Sequence, residues 1–217
     1  DNPLAYIDSN IVGFAHILEG CRHSKVEHLV YASSSSVYGN PQKIPITETN
    51  DRVPINPYGN TKLECEFLAE KFAKEAVSII GLRYFNIYGK GQTGSYAGVI
   101  TKFINSLKEK KQPVIYGNGE QKRDFISVQD IASANIAAMQ CNVNCGFFNV
   151  GTGIATSIRE LAGMMIRLSG LNLEPKYEKP LEGDVFKSQA DIKITKELLN
   201  WKYETRLEDG LRVFFPF

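Results

Sequence analysis

Tyr58 and Lys62 stand four positions apart in the stretch Tyr58-Gly-Asn-Thr-Lys62, and on a helix that spacing stacks them on one face. A phenol that titrates near pH 10 is a poor acid or base at neutral pH, and a neighbouring ammonium favours the phenolate and lowers its pKa. The pair is therefore expected to work as a unit, with Tyr58 transferring protons. A Tyr and a Lys at this spacing also occur on many solvated helix faces, so the pair needs a second signal. That signal lies upstream, where Leu29-Val-Tyr-Ala-Ser-Ser-Ser-Ser-Val-Tyr-Gly39 is an apolar, β-rich run ending in a row of hydroxyls. It reads as a buried strand that delivers serines to the end of a sheet. In open α/β sheets ligands bind beyond the carboxyl ends of the strands, so the serines and the Tyr-Lys helix mark one active-site edge.

The elements that must position these groups follow from periodicity. Ile11, Val12, Ala15, Leu18 and Cys21 recur at a helical period, which predicts a helix over Asp8 to Cys21, a loop at His23 to Lys25 and a strand over Val26 to Ala32. Asn40 to Asn56, rich in Pro and polar residues, is expected to be an irregular loop over the sheet edge. Pro57 suits the first turn of the next helix, with Leu63, Phe67, Leu68 and Phe72 as its core-facing stripe. Val77 to Tyr84 predicts a strand ending at Phe85-Asn-Ile-Tyr-Gly89. Beyond it we expect a helix near Val99 to Lys108, a short strand Pro113 to Tyr116 and the turn Gly117-Asn-Gly119. Then come Phe125 to Val128, a helix Gln129 to Met139, a strand Phe147 to Val150 and a helix near Ser157 to Leu168.

Composition bounds the function. With 43% hydrophobic and 23% charged residues and a net charge of +1 over 217 residues, the chain has the balance of a globular α/β protein able to bury a sizeable core. Near-neutrality argues against broad electrostatic binding of nucleic acid. No apolar run approaches the length of a membrane span and no basic-then-apolar start is present, so we expect no membrane and a cytoplasmic setting. The four cysteines, at 21, 65, 141 and 145, form no C-x-x-C pair and are expected to be reduced. Cys141-x-x-x-Cys145 is followed by no second ligand pair, so no metal is expected. His16, His23 and His28 are assigned surface or packing roles.

Taken together, the motifs carry a resemblance. Tyr6-Ile-Asp-Ser-Asn-Ile-Val-Gly13, YASSSSVYG, NPYGNTK, LRYFNIYG, YGNGEQKRDFISVQDIA, FNVGTG and SQADI occur in that order. The chain resembles the extended short-chain dehydrogenase/reductase family in its NAD-dependent epimerase/dehydratase branch, over essentially its whole length, and most resembles the UDP-sugar 4-epimerases of the UDP-glucose and UDP-glucuronate type. The resemblance implies a partial doubly wound Rossmann-type parallel sheet with a smaller, interleaved C-terminal substrate domain. Residues 1–89 and 124–152 would form the dinucleotide-binding part, and 90–123 and 153–217 the nucleotide-sugar-binding part. One feature of the family is not found: no G-x-x-G-x-x-G phosphate turn occurs, and the chain starts, by resemblance, about three βα units of ~30 residues into the fold. It also stops at Arg212-Val-Phe-Phe-Pro-Phe217, where the family runs on into a polar helix. We therefore expect a fragment that is inactive by itself and an enzyme when full-length.

The resemblance also assigns roles. NAD is the implied cofactor, with Ala32, Ser33, Tyr58, Lys62 and Tyr84 around it. Tyr58 is the base, Lys62 binds the nicotinamide ribose and Ser34 hydrogen-bonds the reacting hydroxyl, with Ser35 as the second choice. For the substrate, the resemblance places Ser34, Ser35 and Ser36 near the sugar, Asn86 and Arg123 on the diphosphate, Val114 and Tyr116 around the base, Asp184 on the ribose, and Val99 among the further substrate-binding residues. The alternative for the serines is to satisfy backbone groups at a strand end, and for Arg123 a salt bridge to Asp124. Leu181 stands where the family often has a second phosphate-binding arginine, which Lys179 or Lys187 would replace. Sugar dehydratases carry acidic residues where this chain has Ser35 and Ser36, and decarboxylases tend to carry a glutamate there. Oxidation and re-reduction at one carbon then remains: epimerisation through a 4-keto sugar. Two other readings stay open, a remnant that binds nucleotide sugar without NAD, and an oligomeric scaffold. The family pairs subunits through a four-helix bundle, here the segments Asp8 to Cys21 and Asn60 to Lys74.

Overall fold

The fold is taken from a computed structural model that describes residues 2–73, 77–92, 98–181 and 185–215. A helical run opens the chain: α1 (Pro3–Tyr6), a π-helical segment Ile7–Val12 and α2 (Gly13–His23). The apolar pattern from Asp8 thus belongs to a longer helical stretch than periodicity indicates. Strand β1 (His28–Ser34) follows and ends in a 3-10 turn, Ser35–Tyr38. The strand runs two residues further than expected, so Ser33 and Ser34 are its last paired residues, opposite Arg83 and Tyr84 of β2 (Ser78–Tyr84). Between β1 and β2 lies α3 (Pro57–Phe72).

Proline at N1 and the Asn56 side chain, which accepts from the Gly59 amide at 2.8 Å, fix where α3 starts. Of the predicted stripe, Leu63, Leu68 and Phe72 pack against buried clusters and Phe67 does not. Thr61, Cys65 and Ala69 are buried at intervals of four, whereas Phe67 is 41% exposed, with the Arg52 guanidinium 5.0 Å from its ring centroid. Small residues let α3 lie close to α2 and the sheet, and a stripe chosen by hydrophobicity alone misses that.

Strand β2 pairs in parallel with β1 on one side and with β6 (Cys145–Val150) on the other, in the order β1-β2-β6. Alternation along the strands builds a core on each face. On one, Ile79, Leu29 and Tyr31 meet Phe14 and Leu18 of α2 and Cys65 and Ala69 of α3. On the other, Ile80, Leu82 and Phe148 meet Ile131, Ala134 and Ala138 of α5 (Val128–Met139), with Leu199 and Trp201. Helices on both faces of a parallel sheet make the architecture α/β and doubly wound.

A short strand β3 (Asn86–Tyr88) pairs in parallel with β5 (Lys122–Ser127), which pairs antiparallel with β7 (Ala155–Ser157). Strands β4 (Val114–Tyr116) and β8 (Lys176–Glu178) form a two-stranded parallel sheet. Around them, α4 (Val99–Lys108), α6 (Ile158–Leu168) and α8 (Leu207–Arg212) bury Ile100, Phe103, Ile104, Leu161, Met165 and Leu211. Ser157 and Glu160 close a capping box at the start of α6. The short pieces β3, β7, β8, α7 (Lys193–Leu198) and α8 carry too few residues for a period to show in the sequence.

Candidate active site

At the carboxyl end of β1 three consecutive residues meet one face of α3. Ala32 offers its carbonyl oxygen to Lys62 Nζ at 3.0 Å. Ser33 donates its hydroxyl to Glu66 Oε1 at 2.6 Å. The Ser34 hydroxyl neighbours the Tyr58 phenol and pulls its pKa down. Glycine makes this approach possible: a Cβ on Gly59 would lie 2.7 Å from the Ser36 carbonyl oxygen and 2.9 Å from Pro54, so the first turn of α3 touches the serine turn. Tyr6 completes the setting with an edge-on ring contact to Tyr58, centroids 5.8 Å apart.

The electrostatics differ from the sequence expectation in one respect. Burial raises the Tyr58 phenol above its usual range, and the Ser34 hydroxyl pulls against it. Lys62 does not hold Tyr58 down, because its ammonium is bonded to Ala32 and sits 5.8 Å from the phenol ring centroid. Burial in turn lowers the Lys62 ammonium. An ammonium has three donors, and the one given to Ala32 leaves others to face a ligand. A half-buried lysine and phenol beside the exposed backbone of Ala32 are the right chemistry for a ribose hydroxyl and a carbonyl-reducing cofactor, so the residues present fit the nicotinamide end of NAD.

The serines divide their work. Ser33 is buried and its hydroxyl is committed to Glu66, so it has no free hydroxyl for a ligand. Ser34 accepts from the Ser36 amide at 3.1 Å and donates to Ser36 Oγ at 3.1 Å, capping the 3-10 turn while it meets Tyr58. Ser35 and Ser36 line a cleft with Gly39, Ile46, Asn56, Asn86, Arg123, Val185, Lys187 and Ser188. Asn86 and Arg123 also line a second cleft, of about 710 Å³ including its open mouth, with Val99, Lys102, Phe103, Val114, Tyr116, Gln121, Ile158 and Leu181. The two shared residues join the clefts into one groove, which brings Ser35, Ser36, Asn86, Arg123, Val99, Val114 and Tyr116 together. Tyr84 stands apart, its phenol paired with the side-chain amide of Asn135 on α5. Asp184 lies outside the described residues.

Asp124 is not the salt-bridge partner that its place beside Arg123 suggests. Its buried carboxylate accepts from Thr152 N at 2.8 Å, Thr152 Oγ1 at 2.6 Å, Gly153 N at 2.9 Å and Ala190 N at 3.1 Å. It thereby ties β5, and with it Arg123, to the loop after β6. Sequence reasoning missed two further groups. Lys102 in α4 is a cation on the wall of the groove, hidden because it reads as the polar side of an amphipathic helix. Glu66 and Arg83 are buried and paired at 2.8 Å, and only the unusual placement of an arginine in an apolar strand pattern signals them. Among the described residues no cluster of metal-ligating side chains occurs, and all four cysteines are free thiols. No described helix is long and apolar enough to cross a membrane.

Comparison with known proteins places this geometry. Residues 1–151 match the family described as the NAD dependent epimerase/dehydratase family. A putative UDP-glucose 4-epimerase of Methanocaldococcus jannaschii is 37% identical over 219 residues, an alignment covering 98% of this chain and 70% of that protein. The UDP-glucose 4-epimerase of Thermotoga maritima, solved with UDP-glucose, superposes with a TM-score of 0.95 at 34% identity, over 99% of this chain and 70% of that one. The UDP-glucuronic acid 4-epimerase of Bacillus cereus, solved with UDP-glucuronic acid and NAD, gives a TM-score of 0.88 at 30% identity over 96% of this chain and 67% of that one. The chain thus spans about seven tenths of the length of these relatives, and it belongs to the NAD dependent epimerase/dehydratase family.

Proposed function

We propose that the chain carries the proton-transfer and substrate-binding machinery of an NAD-dependent UDP-sugar 4-epimerase. The observation that carries this reading is the strand end where the Ser34 hydroxyl neighbours the Tyr58 phenol and Lys62 bonds to Ala32, beside a groove lined by Ser35, Ser36, Asn86 and Arg123. Tyr58, as its phenolate, takes the proton from the sugar hydroxyl at carbon 4 and later returns it, while Ser34 holds that hydroxyl in line. NAD, when bound, would supply the acceptor and donor of the hydride exchanged at that carbon. Lys62, beside Ala32 and Tyr58, holds the nicotinamide ribose. In the groove, Arg123 and Asn86 take the diphosphate, with the cations Lys187 and Lys102 to either side. Val114, Tyr116 and Val99 sandwich the base. Arginine suits the phosphates because its rigid fork matches their oxygens.

Epimerisation is favoured over dehydration because Ser35 and Ser36 provide no acid and base for eliminating water. The relatives in this family named for UDP-glucose and UDP-glucuronate support the nucleotide and the sugar class. We also read residues 1–89 and 124–152 as the cofactor side and 90–123 and 153–217 as the substrate side. The exposed Leu4, Ile7, Val12, Ile17 and Phe67 on the opening helices and α3 suit packing against a second copy. A cytoplasmic setting agrees with the free thiols.

The test incubates the product of the gene's full open reading frame with UDP-glucose or UDP-glucuronate and follows the sugar protons by NMR. The 4-epimer is the expected product. A 4-keto-6-deoxy sugar would overturn the reading in favour of a dehydratase.

A further inference from the structure

Glu66 is fully buried on α3, four residues after Lys62 and eight after Tyr58, hence on the same helix face. Its carboxylate accepts from groups on separate elements: Ser33 at the tip of β1 at 2.6 Å, Arg83 Nε and Nη2 on β2 at 2.8 Å each, and Arg52 in the loop at 3.0 Å. Arg83 is itself a fixed point. Its Nη1 donates to the Tyr38 hydroxyl at 2.7 Å and to the Glu48 carbonyl at 3.0 Å, and its guanidinium lies 5.0 Å from the Tyr38 ring centroid and 5.3 Å from that of Phe147. Tyr38 passes the connection to Asn149 on β6 at 2.7 Å. Every strand of the parallel sheet and the end of the serine turn are therefore joined to one carboxylate on α3.

A buried ion pair of this kind is a poor source of net stability, since apolar residues of the same volume often do as well, and its best-attested use is to fix one arrangement among several. The fully buried side chains of α3 are otherwise small, Thr61, Cys65 and Ala69, with Leu63, Leu68 and Phe72 only partly buried at their flanks, so apolar packing fixes the helix's rotation less sharply than directed bonds do. We propose that Glu66, clamped by Arg83 and Arg52 and tied to Ser33, is a positioning residue that sets the rotation of α3 about its axis, so that Tyr58 meets Ser34 and Lys62 meets Ala32. It touches neither substrate nor cofactor and acts through Tyr58 and Lys62.

The test is made on this chain without ligand, so its outcome does not depend on the reaction assigned above. Nuclear Overhauser contacts between the Tyr58 ring and the Ser34 β-protons, assigned with Tyr58→Phe, are measured in Glu66→Asp, Glu66→Gln and Ser33→Ala. Glu66→Asp keeps the charge but is one methylene too short to reach β1 and β2 together. Glu66→Gln keeps the length but loses an acceptor. Loss of the Tyr58–Ser34 contact in both, with the remaining fold intact, is the expected result. Wild-type contacts in folded Glu66 variants that differ only in unfolding midpoint would reduce Glu66 to a stabilising group and overturn the proposal. If both Glu66 variants fail to fold, Ser33→Ala decides, because it removes only the tie to β1: a weakened contact supports positioning, and an unchanged one overturns it.

Discussion

Lys62 Nζ lies 3.0 Å from the carbonyl oxygen of Ala32, two residues before the serine that meets Tyr58. The lysine thus anchors its helix to the strand end that carries Ser34, and its place in the site is set by backbone, not by the phenol. A tyrosine raised by burial needs its local donors to work as a base. Tyr58→Phe is therefore expected to lower turnover of the full-length enzyme by about 10²–10⁴-fold, the usual worth of a positioned proton-transfer group. Ser34→Ala should lower it in the same direction while leaving UDP binding unchanged, because the diphosphate end of the groove is built from other residues. Steady-state kinetics with calorimetric UDP titration checks both, and near-normal turnover of Tyr58→Phe would reject the assignment.

The pair Tyr38 and Tyr88 offers a stability prediction with opposite signs. Burial pushes both phenols up to about 12, but Tyr38 is bonded to Asn149 and Arg83 while the buried Tyr88 hydroxyl has no partner among the described residues. Tyr38→Phe strands two buried groups and should cost about 1–3 kcal/mol for each one left unpaired. Tyr88→Phe removes an unsatisfied hydroxyl and should be neutral or mildly stabilising. Urea unfolding at pH 7 compares them, and equal losses would contradict the hydrogen-bond pattern.

The same two groups fix the sign of the alkaline response. A phenol whose folded pKa exceeds its unfolded value of 10.0 holds its proton more tightly when folded, so its contribution is complete below pH 10 and is lost as pH rises through the folded value. Unfolding free energy should fall steadily between pH 10 and about 12. The fall should be shallower in Tyr88→Phe, which denaturant curves at stepped pH would show.

Much of this site was legible in the chain itself. Residue type and spacing alone marked the Tyr58–Lys62 pair and the serine run, the resemblance singled out Ser34 within it, and the long periodic helices and apolar strands that hold them were readable to within a few residues. Glu66 and Arg83 were not, because a buried ion pair joins residues 17 apart in sequence across a helix and a strand, and neither position announces its partner. One position of α3, Phe67, was misread for a related reason. Hydrophobicity selects Phe67, but close approach of helix and sheet selects Thr61, Cys65 and Ala69. Lys62 holding the Tyr58 pKa down failed because spacing along a helix gives proximity and not the direction in which an ammonium points.

Gly210 tests the packing beneath β3. A Cβ at this position would collide with the Tyr88 hydroxyl and lie 2.9 Å from its Cζ and 3.0 Å from Thr205 Cγ2. Overpacking of this kind typically costs about 1–3 kcal/mol, so Gly210→Ala should unfold at lower urea. The hydroxyl is the nearest obstacle, so the loss should be smaller in a Tyr88→Phe background. An additive double mutant would show that the strain lies elsewhere.

Leu181 lines the groove that the proposed function gives to the diphosphate, and the described cations lining it are Arg123, Lys102 and Lys187. Lysines act on phosphate as point charges, whereas the arginine fork makes paired hydrogen bonds. Arg123→Lys should therefore weaken UDP binding even though the charge is kept, and Lys102→Ala and Lys187→Ala should weaken it less. Leu181→Arg should tighten it, by roughly 10- to 100-fold if one hydrogen bond to a charged group of about 1.5–3 kcal/mol is gained. Uridine, which lacks phosphate, should respond to none of these changes, because Val114 and Tyr116 contact only the base. Calorimetric titration of UDP and uridine into each variant separates the two halves of the groove. If Leu181→Arg leaves UDP affinity unchanged while Lys187→Ala abolishes it, then Lys187 alone has taken over the second phosphate contact and the side of the groove near Leu181 holds no phosphate.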